Sequence, residues 1–344
     1  MINIVSFSAR GCSTAIGISK ALGDEDVRVF SKTSGMSVCE NIDVTISEWT
    51  GRVFEKSDAI VFVGAVGIAV RAIAPHLKGK TSDPAVVCVD ELGRYSIPIL
   101  SGHIGGANHL ACRIASAIGA TSVITTATDV NGKFSVDSFA ASRGMCIGSM
   151  ALAKDVSAAV LDGRFVGLKS DYPVCGRVPT CLDTSETGDL GVHITSGFGK
   201  GPYLRTLRLI PKNHILGVGC RRGTDKEEIK KMAMSVLCSA GISIESVKAV
   251  ASIDLKENET GLVEFAAETG VPTFFYSSSE LDMLPDIGYS KSDFVKNTTG
   301  VDCVCERAAM AASAGGELIV RKTGGEGVTV AVVREPVLVD FGDE

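Results

Sequence analysis

Aromatic residues are scarce in this 344-residue chain: they make up 6% of it, with a single tryptophan. That disfavours a β-sandwich cored by aromatic rings. The abundance of Ala, Val and Ile, with 38 glycines, suits parallel strands covered by helices instead. Positive charge is also short. The net charge is −6, and basic residues adjoin only in pairs such as Arg221-Arg222 and Lys230-Lys231. That excludes the electrostatic footprint of a nucleic-acid binder. No apolar run reaches the ~20 residues that a membrane helix needs. Met1 to Phe7 reads as a first strand and not as a secretory leader, so the expected location is the cytoplasm. The 11 cysteines are an odd number without paired spacing, and free reduced thiols are expected. Cys303 and Cys305 are the one close pair. They fall on a predicted helix, where residues two apart point to different faces, which argues against a zinc knuckle.

The length suggests two or three domains, and three zones emerge. Residues 1–129 alternate strands (Ile2–Ser6, Val27–Phe30, Ala59–Val63) with helices. They add a hairpin of Ala85–Val89 and Tyr95–Leu100, a helix to Ile118 and a strand Ser122–Thr126. Residues 130–211 are less regular: helices near Val136–Arg143 and Ser149–Leu161, strands at Phe165–Lys169, Val192–Thr195 and Leu204–Leu209, and a long loop Asp171–Gly191. Residues 212–344 start with strand His214–Val218. Thr224 and Glu227 form a capping-box pattern opening the next helix, strands follow at Ala249–Ile253 and Thr273–Tyr276, helices at Gly261–Thr269 and Val301–Ala314, and a closing hairpin at Glu317–Lys322 and Val328–Arg334. The expected fold class is α/β: two Rossmann-like three-layer α/β domains with a smaller, less regular α/β central region.

The most chemically loaded segment is Ser101-Gly102-His103-Ile104-Gly105-Gly106-Ala107-Asn108-His109. It follows a strand and opens a helix whose apolar residues Ala107, Leu110, Ala111 and Ile114 share one face. Its glycines let a ligand approach the backbone, and free N–H groups at a helix start favour an anion. The alternative is a tight turn with its histidine satisfied locally. Gly64-Ala65-Val66-Gly67 also joins a strand to a helix, with Arg71 as a candidate carboxylate clamp. It lacks the G-x-G-x-x-G spacing, and Asp90 lies in a hairpin turn, which weighs against a dinucleotide. The loop with His76, Lys78, Lys80, Thr81 and Asp83 offers Asp83 as a base, a histidine orienter or a turn cap. Gly217-Val218-Gly219-Cys220-Arg221-Arg222-Gly223-Thr224 places two guanidinium groups before a helix, suited to a polyanion. Lys256 and Glu259 follow another strand as a candidate ion pair, the alternative being a solvated loop.

In this order and at this separation, five segments resemble the CbiG family of cobalamin biosynthesis, the cobalt-precorrin 5A hydrolases. They are Val66-Gly67-Ile68-Ala69-Val70-Arg71, Ser101 to Asn108, Gly217 to Gly223, Ala251-Ser252-Ile253-Asp254-Leu255-Lys256 with Glu259, and Cys305-Glu306-Arg307-Ala308-Ala309. The resemblance covers nearly the whole chain, with the central zone matching least. It implies a hydrolase acting on a carbon–carbon bond. Water opens the δ-lactone of cobalt-precorrin 5A, the methylated former meso carbon leaves as acetaldehyde, and cobalt-precorrin 5B is formed. The partner is then a small-molecule cobalt tetrapyrrole, with no nucleic acid and no membrane. The cobalt belongs to the substrate, so no protein cofactor or metal site is required. A homodimer, or transient contact with other corrin-pathway enzymes, stays open.

The roles of individual residues come from their chemistry. His103 is the candidate general acid/base, since imidazoles titrate near neutral pH. The Gly105 and Gly106 amides or Asn108 are the candidate oxyanion donors, with Asp83 or His109 assisting. Arg71, Ser101, Arg221, Arg222, Thr224, Lys256 and Glu259 are the candidate substrate-binding residues, in a cleft expected between two α/β domains. Two other classes compete: a tetrapyrrole carrier that shelters an unstable lactone, and an NAD(P) oxidoreductase.

Overall fold

The computed structural model describes residues 1–23, 26–33, 38–79, 82–185 and 188–342, so Lys80 and Thr81 lie outside the described residues. The chain divides into two compact units. One comprises Met1–Arg143 with Ser157–Arg164, the other Gly144–Val156 with Phe165–Glu344.

The first unit runs β1 (Ile2–Ser6), α1 (Ala9–Leu22), β2 (Val27–Ser31), β3 (Glu40–Asn41), α2 (Ile46–Phe54), β4 (Ala59–Val63), α3 (Val66–Ile73), β5 (Ala85–Val89), β6 (Tyr95–Leu100), α4 (Ala107–Ile118), β7 (Thr121–Ser122), α5 (Ala127–Val130) and α6 (Val136–Ser142). Its sheet has the order β3-β2-β1-β4-β5-β6-β7 and is parallel except where β5 meets β6. Alternation along each strand builds the two faces. Ile2, Ile4, Val61, Val63, Val87 and Val89 pack with Ala15 and Ile18 of α1 and Leu110 and Ile114 of α4. Val5, Ile60, Phe62 and Val86 pack with Trp49 and Phe54 of α2 and Ala69 and Ile73 of α3. The lone tryptophan closes that second face, meeting Phe30 and Phe62 edge-on with ring centres 5.1 and 6.5 Å away. The result is the three-layer arrangement read from the sequence. The strand expected over Ser122–Thr126 is cut to Thr121–Ser122, because Thr126 already turns to cap α5.

Onward, the chain forms β8 (Met145–Ile147), α7 (Met150–Leu161), β9 (Val166–Ser170), β10 (Val174–Cys175), β11 (Leu182–Asp183), β12 (Leu190–Ile194) and β13 (Arg205–Pro211), then β14 (His214–Cys220), α8 (Lys226–Ser239), β15 (Val247–Ile253), α9 (Thr260–Thr269), β16 (Thr273–Tyr276), α10 (Ser278–Asp282), α11 (Asp293–Thr299), α12 (Val304–Ala311), β17 (Glu317–Gly325), β18 (Val328–Arg334) and β19 (Val339–Asp340). Two five-stranded sheets result, ordered β11-β9-β12-β13-β8 and β16-β15-β14-β18-β17. The latter is again three-layered. Leu216, Val218, Val330 and Val332 face α8 and α9, while Ile215, Ala249, Ala251 and Val333 face α10 and α12.

Several expectations are corrected. The loop Asp171–Gly191 contains β10 and β11, and β10 pairs with β19 more than 160 residues later, a partner that local sequence does not reveal. α8 is capped by Asp225, whose Oδ1 accepts from Glu227 N–H at 2.8 Å, and not by Thr224. Cys12 and Cys39 form a disulfide, joined by the fold and not by spacing. Cys303 is the extended cap residue of α12, so its side chain swings to the side of Cys305. The two buried sulfurs lie 3.9 Å apart, where different faces were expected. Among the described residues no helix is long and apolar enough to cross a membrane.

Candidate functional site

The turn from β6 to α4 is held by its own polar groups. Ser101 sits at φ 55°, a left-handed conformation that is costly without glycine. Its hydroxyl donates to the Asp83 carbonyl at 2.9 Å, pinning the turn to the segment before β5. Gly105 is required by close approach: a Cβ there would stand 2.4 Å from Ser101 Cβ. Gly106, at φ 81°, begins α4. The N–H groups of Gly106, Ala107 and Asn108 donate to the carbonyls of His103, Ser101 and Gly102 at 2.9–3.1 Å. These three amides at the helix start, which the sequence left open for an anion, are therefore already spent, Gly106 included. Among the described residues the Gly105 N–H has no partner and remains a candidate oxyanion donor.

His103 is anchored by a residue that the sequence reading missed. Its Nε2 lies 2.9 Å from Oδ2 of Asp129, on α5, and 3.3 Å from the buried Thr128 hydroxyl. The same Oδ2 accepts from Asn108 Nδ2 at 2.8 Å and from the Thr126 hydroxyl. Burial pushes the Asp129 carboxyl up, but the hydrogen bonds from Thr126, His103 and Asn108 outweigh it and hold the group below its ordinary value. Asn108 also donates to Thr126 Oγ1 at 2.9 Å. Both acceptors lie on one side of the amide nitrogen, so one N–H is shared between them and braces the turn, and Asn108 remains a candidate oxyanion donor through the other. A flipped amide would set its oxygen against the carboxylate. For Asp83 the turn-cap alternative holds. Its carboxylate accepts from Lys78 N–H at 2.9 Å and caps that loop, while the histidine is oriented by Asp129.

Two cavities in this unit share His103, whose side chain is 19% exposed. One of about 980 Å³ is lined by Gly105, Asn108, His109, Asp129, Phe139 and Arg143 among others. The smaller, about 410 Å³, runs past Asp83, Ser101 and Thr126. His109 is exposed on the wall of the larger one. Arg71 is exposed on α3 and lines neither. His76 lies against Phe54 and Lys78 pairs with Glu55, both structural uses.

The second unit holds a cavity of about 530 Å³ at the end of β14. Apolar walls of Ile253, Val304, Val328 and the exposed Phe294 are set with Arg221, Arg222, Lys256 and Lys322. The turn before α8 already carries a carboxylate. Glu259 accepts from Gly223 N–H at 2.5 Å and from Lys256 at 3.1 Å, which is the candidate ion pair. Burial raises the Glu259 carboxyl, and these two contacts with the nearby Arg222 charge outweigh that and lower it. Thr224 donates to the Arg221 carbonyl at 2.8 Å and so braces the turn. The cations left facing the cavity without a carboxylate partner among the described residues are Arg221, Arg222 and Lys322. Lys322 went unnoticed in the sequence. Its backbone N–H donates at 2.7 Å to Glu306, a fully buried carboxylate that also accepts two bonds from Ser290. No group of three His, Cys, Asp or Glu side chains among the described residues is placed to hold a metal.

Comparison with known proteins agrees across both units. The family model described as cobalamin synthesis G N-terminal matches residues 48–129, and that described as cobalamin synthesis G C-terminus matches residues 214–333. A cobalt-precorrin-5A hydrolase of Priestia megaterium is 32% identical, over 96% of this chain and 94% of the relative. One of Salmonella typhimurium is 33% identical, over 81% of this chain and 82% of the relative. Protein CobE of a Sinorhizobium species is 34% identical over 31% of this chain and 71% of its own length. With the two matched segments containing the His103 turn and the arginine-bearing turn respectively, this chain belongs to the CbiG family of cobalamin synthesis.

Proposed function

We propose that this chain hydrolyses cobalt-precorrin 5A to cobalt-precorrin 5B, opening the δ-lactone and releasing the former meso carbon and its methyl group as acetaldehyde. The observation that carries this reading is His103, fixed by Asp129 on the wall of a cavity of about 980 Å³, a volume in the range of small-molecule sites. His103 takes a proton from water, which adds to the lactone carbonyl. The Gly105 N–H stabilises the oxyanion. His103 returns that proton to the leaving oxygen as the ester C–O bond breaks, which leaves an acid that ionises to a carboxylate, a hydroxyl on the departing fragment and a neutral imidazole. Loss of the hydroxyl proton to a base breaks the C–C bond. Acetaldehyde leaves, and the electron pair stays on the conjugated macrocycle.

Ser101, whose hydrogen is given to Asp83, serves only as an acceptor, and His109 borders the same cavity. Arg221, Arg222 and Lys322, with Lys256 shared with Glu259, form a carboxylate-holding site for the same class of ligand, since tetrapyrroles carry acetate and propionate groups. Thr224 and Glu259 keep that turn in shape. Cobalt enters with the substrate, and the chain supplies no cofactor of its own. The reaction is placed in the cytoplasm, with a homodimer or transient contact with other corrin-pathway enzymes as candidate assemblies.

The test is anaerobic incubation of purified protein with cobalt-precorrin 5A, with acetaldehyde read by coupled NADH oxidation. Wild type is expected to release it stoichiometrically with cobalt-precorrin 5B, and His103→Gln to fail. Equal release by wild type, by His103→Gln and by the Arg221→Gln/Arg222→Gln variant would instead mark a carrier of a spontaneously breaking lactone.

A further inference from the structure

Three hydrogen-bond donors of different chemistry converge on one oxygen. Asp129 Oδ2 accepts from His103 Nε2 at 2.9 Å, from Asn108 Nδ2 at 2.8 Å and from the Thr126 hydroxyl. An oxygen so surrounded acts as an ionised acceptor with no hydrogen to give. A neutral imidazole facing it must therefore place its hydrogen on Nε2. The lone pair then resides on Nδ1, which has no partner among the described residues.

We infer that Asp129 is a positioning residue for the proposed hydrolysis: with Asn108 and Thr126 it fixes the His103 tautomer and makes Nδ1 the atom that accepts the proton. This rests on His103 being the base. The arrangement explains why Asn108 turns an amide N–H inward, towards Thr126 and Asp129. It also explains why α5, four residues long, ends up against the turn: its Thr126 cap and Asp129 are the two ends of one carboxylate cradle. Thr128 Oγ1, 3.3 Å from Nε2, guards the same edge of the ring. When Nδ1 takes the proton, the resulting imidazolium faces a carboxylate already in place, so no group has to move to receive the new charge.

The first measurement needs no variant. Nitrogen-15 NMR of the full-length wild-type protein under alkaline conditions is expected to show His103 Nδ1 as an unprotonated, pyridine-type nitrogen and Nε2 as protonated. The signal is assigned by its loss in His103→Gln. The second measurement is Asp129→Asn. The new amide donates to Nε2, the hydrogen moves to Nδ1, and kcat falls by about 10²- to 10⁴-fold with KM nearly unchanged. Thr126→Val keeps the carboxylate and is expected to retain the Nε2–H tautomer with a loss of no more than about tenfold. A wild-type Nδ1 that carries hydrogen, or an Asp129→Asn protein that turns over at the wild-type kcat while His103→Gln is dead, overturns the inference and leaves the hydrolase reading standing. An active His103→Gln protein overturns the base assignment itself.

Discussion

The two glycine-rich turns, Ser101–His109 in one unit and Gly217–Thr224 in the other, look alike in sequence and are built for different tasks. Each leaves a strand and enters a helix, and in each the protein itself consumes amides that a ligand might have used. In the first turn the consumers are backbone carbonyls, and the carboxylate Asp129 arrives from α5 to hold an imidazole. In the second the consumer is Glu259, and the side chains that face the cavity are cations with fixed charge. An imidazole held by a carboxylate moves protons; guanidinium groups hold anions without changing state. Similar local chain geometry therefore says little about role. The charge that each turn imports from elsewhere decides it.

The sharpest way to break the comparison is kinetic. His103→Gln is expected to cut kcat by about 10²- to 10⁴-fold with little change in KM. A rise in KM without loss of kcat would show that the first turn also only binds.

Acid stability separates the units next. Burial, reinforced by the Arg334 charge, lowers the His214 pKa from 6.5 to about 4 at the start of the strand leading into the second turn. The folded state thus refuses a proton that the unfolded chain accepts. Stability is full above pH 6.5, falls as the pH drops towards 4, and is flat below that, a loss of roughly 3 kcal/mol. Asp129 has a lowered folded pKa, so its contribution is present above the ordinary carboxylate range and is lost only on further acidification. Urea unfolding across this pH range should show the first decline in wild type and its absence in His214→Gln.

Packing gives a smaller contrast. Gly217→Ala would press a Cβ to within 1.8 Å of the Cys305 carbonyl, and Gly105→Ala to within 2.4 Å of Ser101 Cβ. Each is expected to cost about 1–3 kcal/mol, with Gly217→Ala the worse because helix backbone cannot give way. In Gly105→Ala the displaced turn should lower kcat as well, read in the acetaldehyde assay beside the melting curve. The mildest effect belongs to the second turn: Arg222→Gln or Arg221→Gln should raise KM about tenfold, equivalent to about 1.4 kcal/mol, and leave kcat nearly unchanged.

Much of this was legible in the sequence. The strands β4 and β5 are apolar runs that match their central positions in the sheet, and the hairpin of β5 and β6 follows from Gly93 between them. The Lys256–Glu259 pair was read correctly because its members are three residues apart. The failures share a cause. Gly106 reads as an open amide, and Asn108 as facing outward only, because their inward partners, a carbonyl of the same turn, Thr126 and Asp129, depend on folded geometry. For Asp83 the sequence left a base, a histidine orienter and a turn cap open, and the Lys78 amide that claims its carboxylate selects the cap.

By itself the sequence determined the α/β alternation, the two turns and the resemblance to the cobalamin-synthesis family, because hydrophobic period, turn chemistry and motif order are properties of neighbouring residues. Tertiary structure alone decided that Asp129 holds His103, that Glu259 fills the second turn, that Lys322 joins the arginines and that Cys12 meets Cys39. Those pairings join segments separated along the chain, and only the packing of helices onto sheets brings their polar groups to bonding distance.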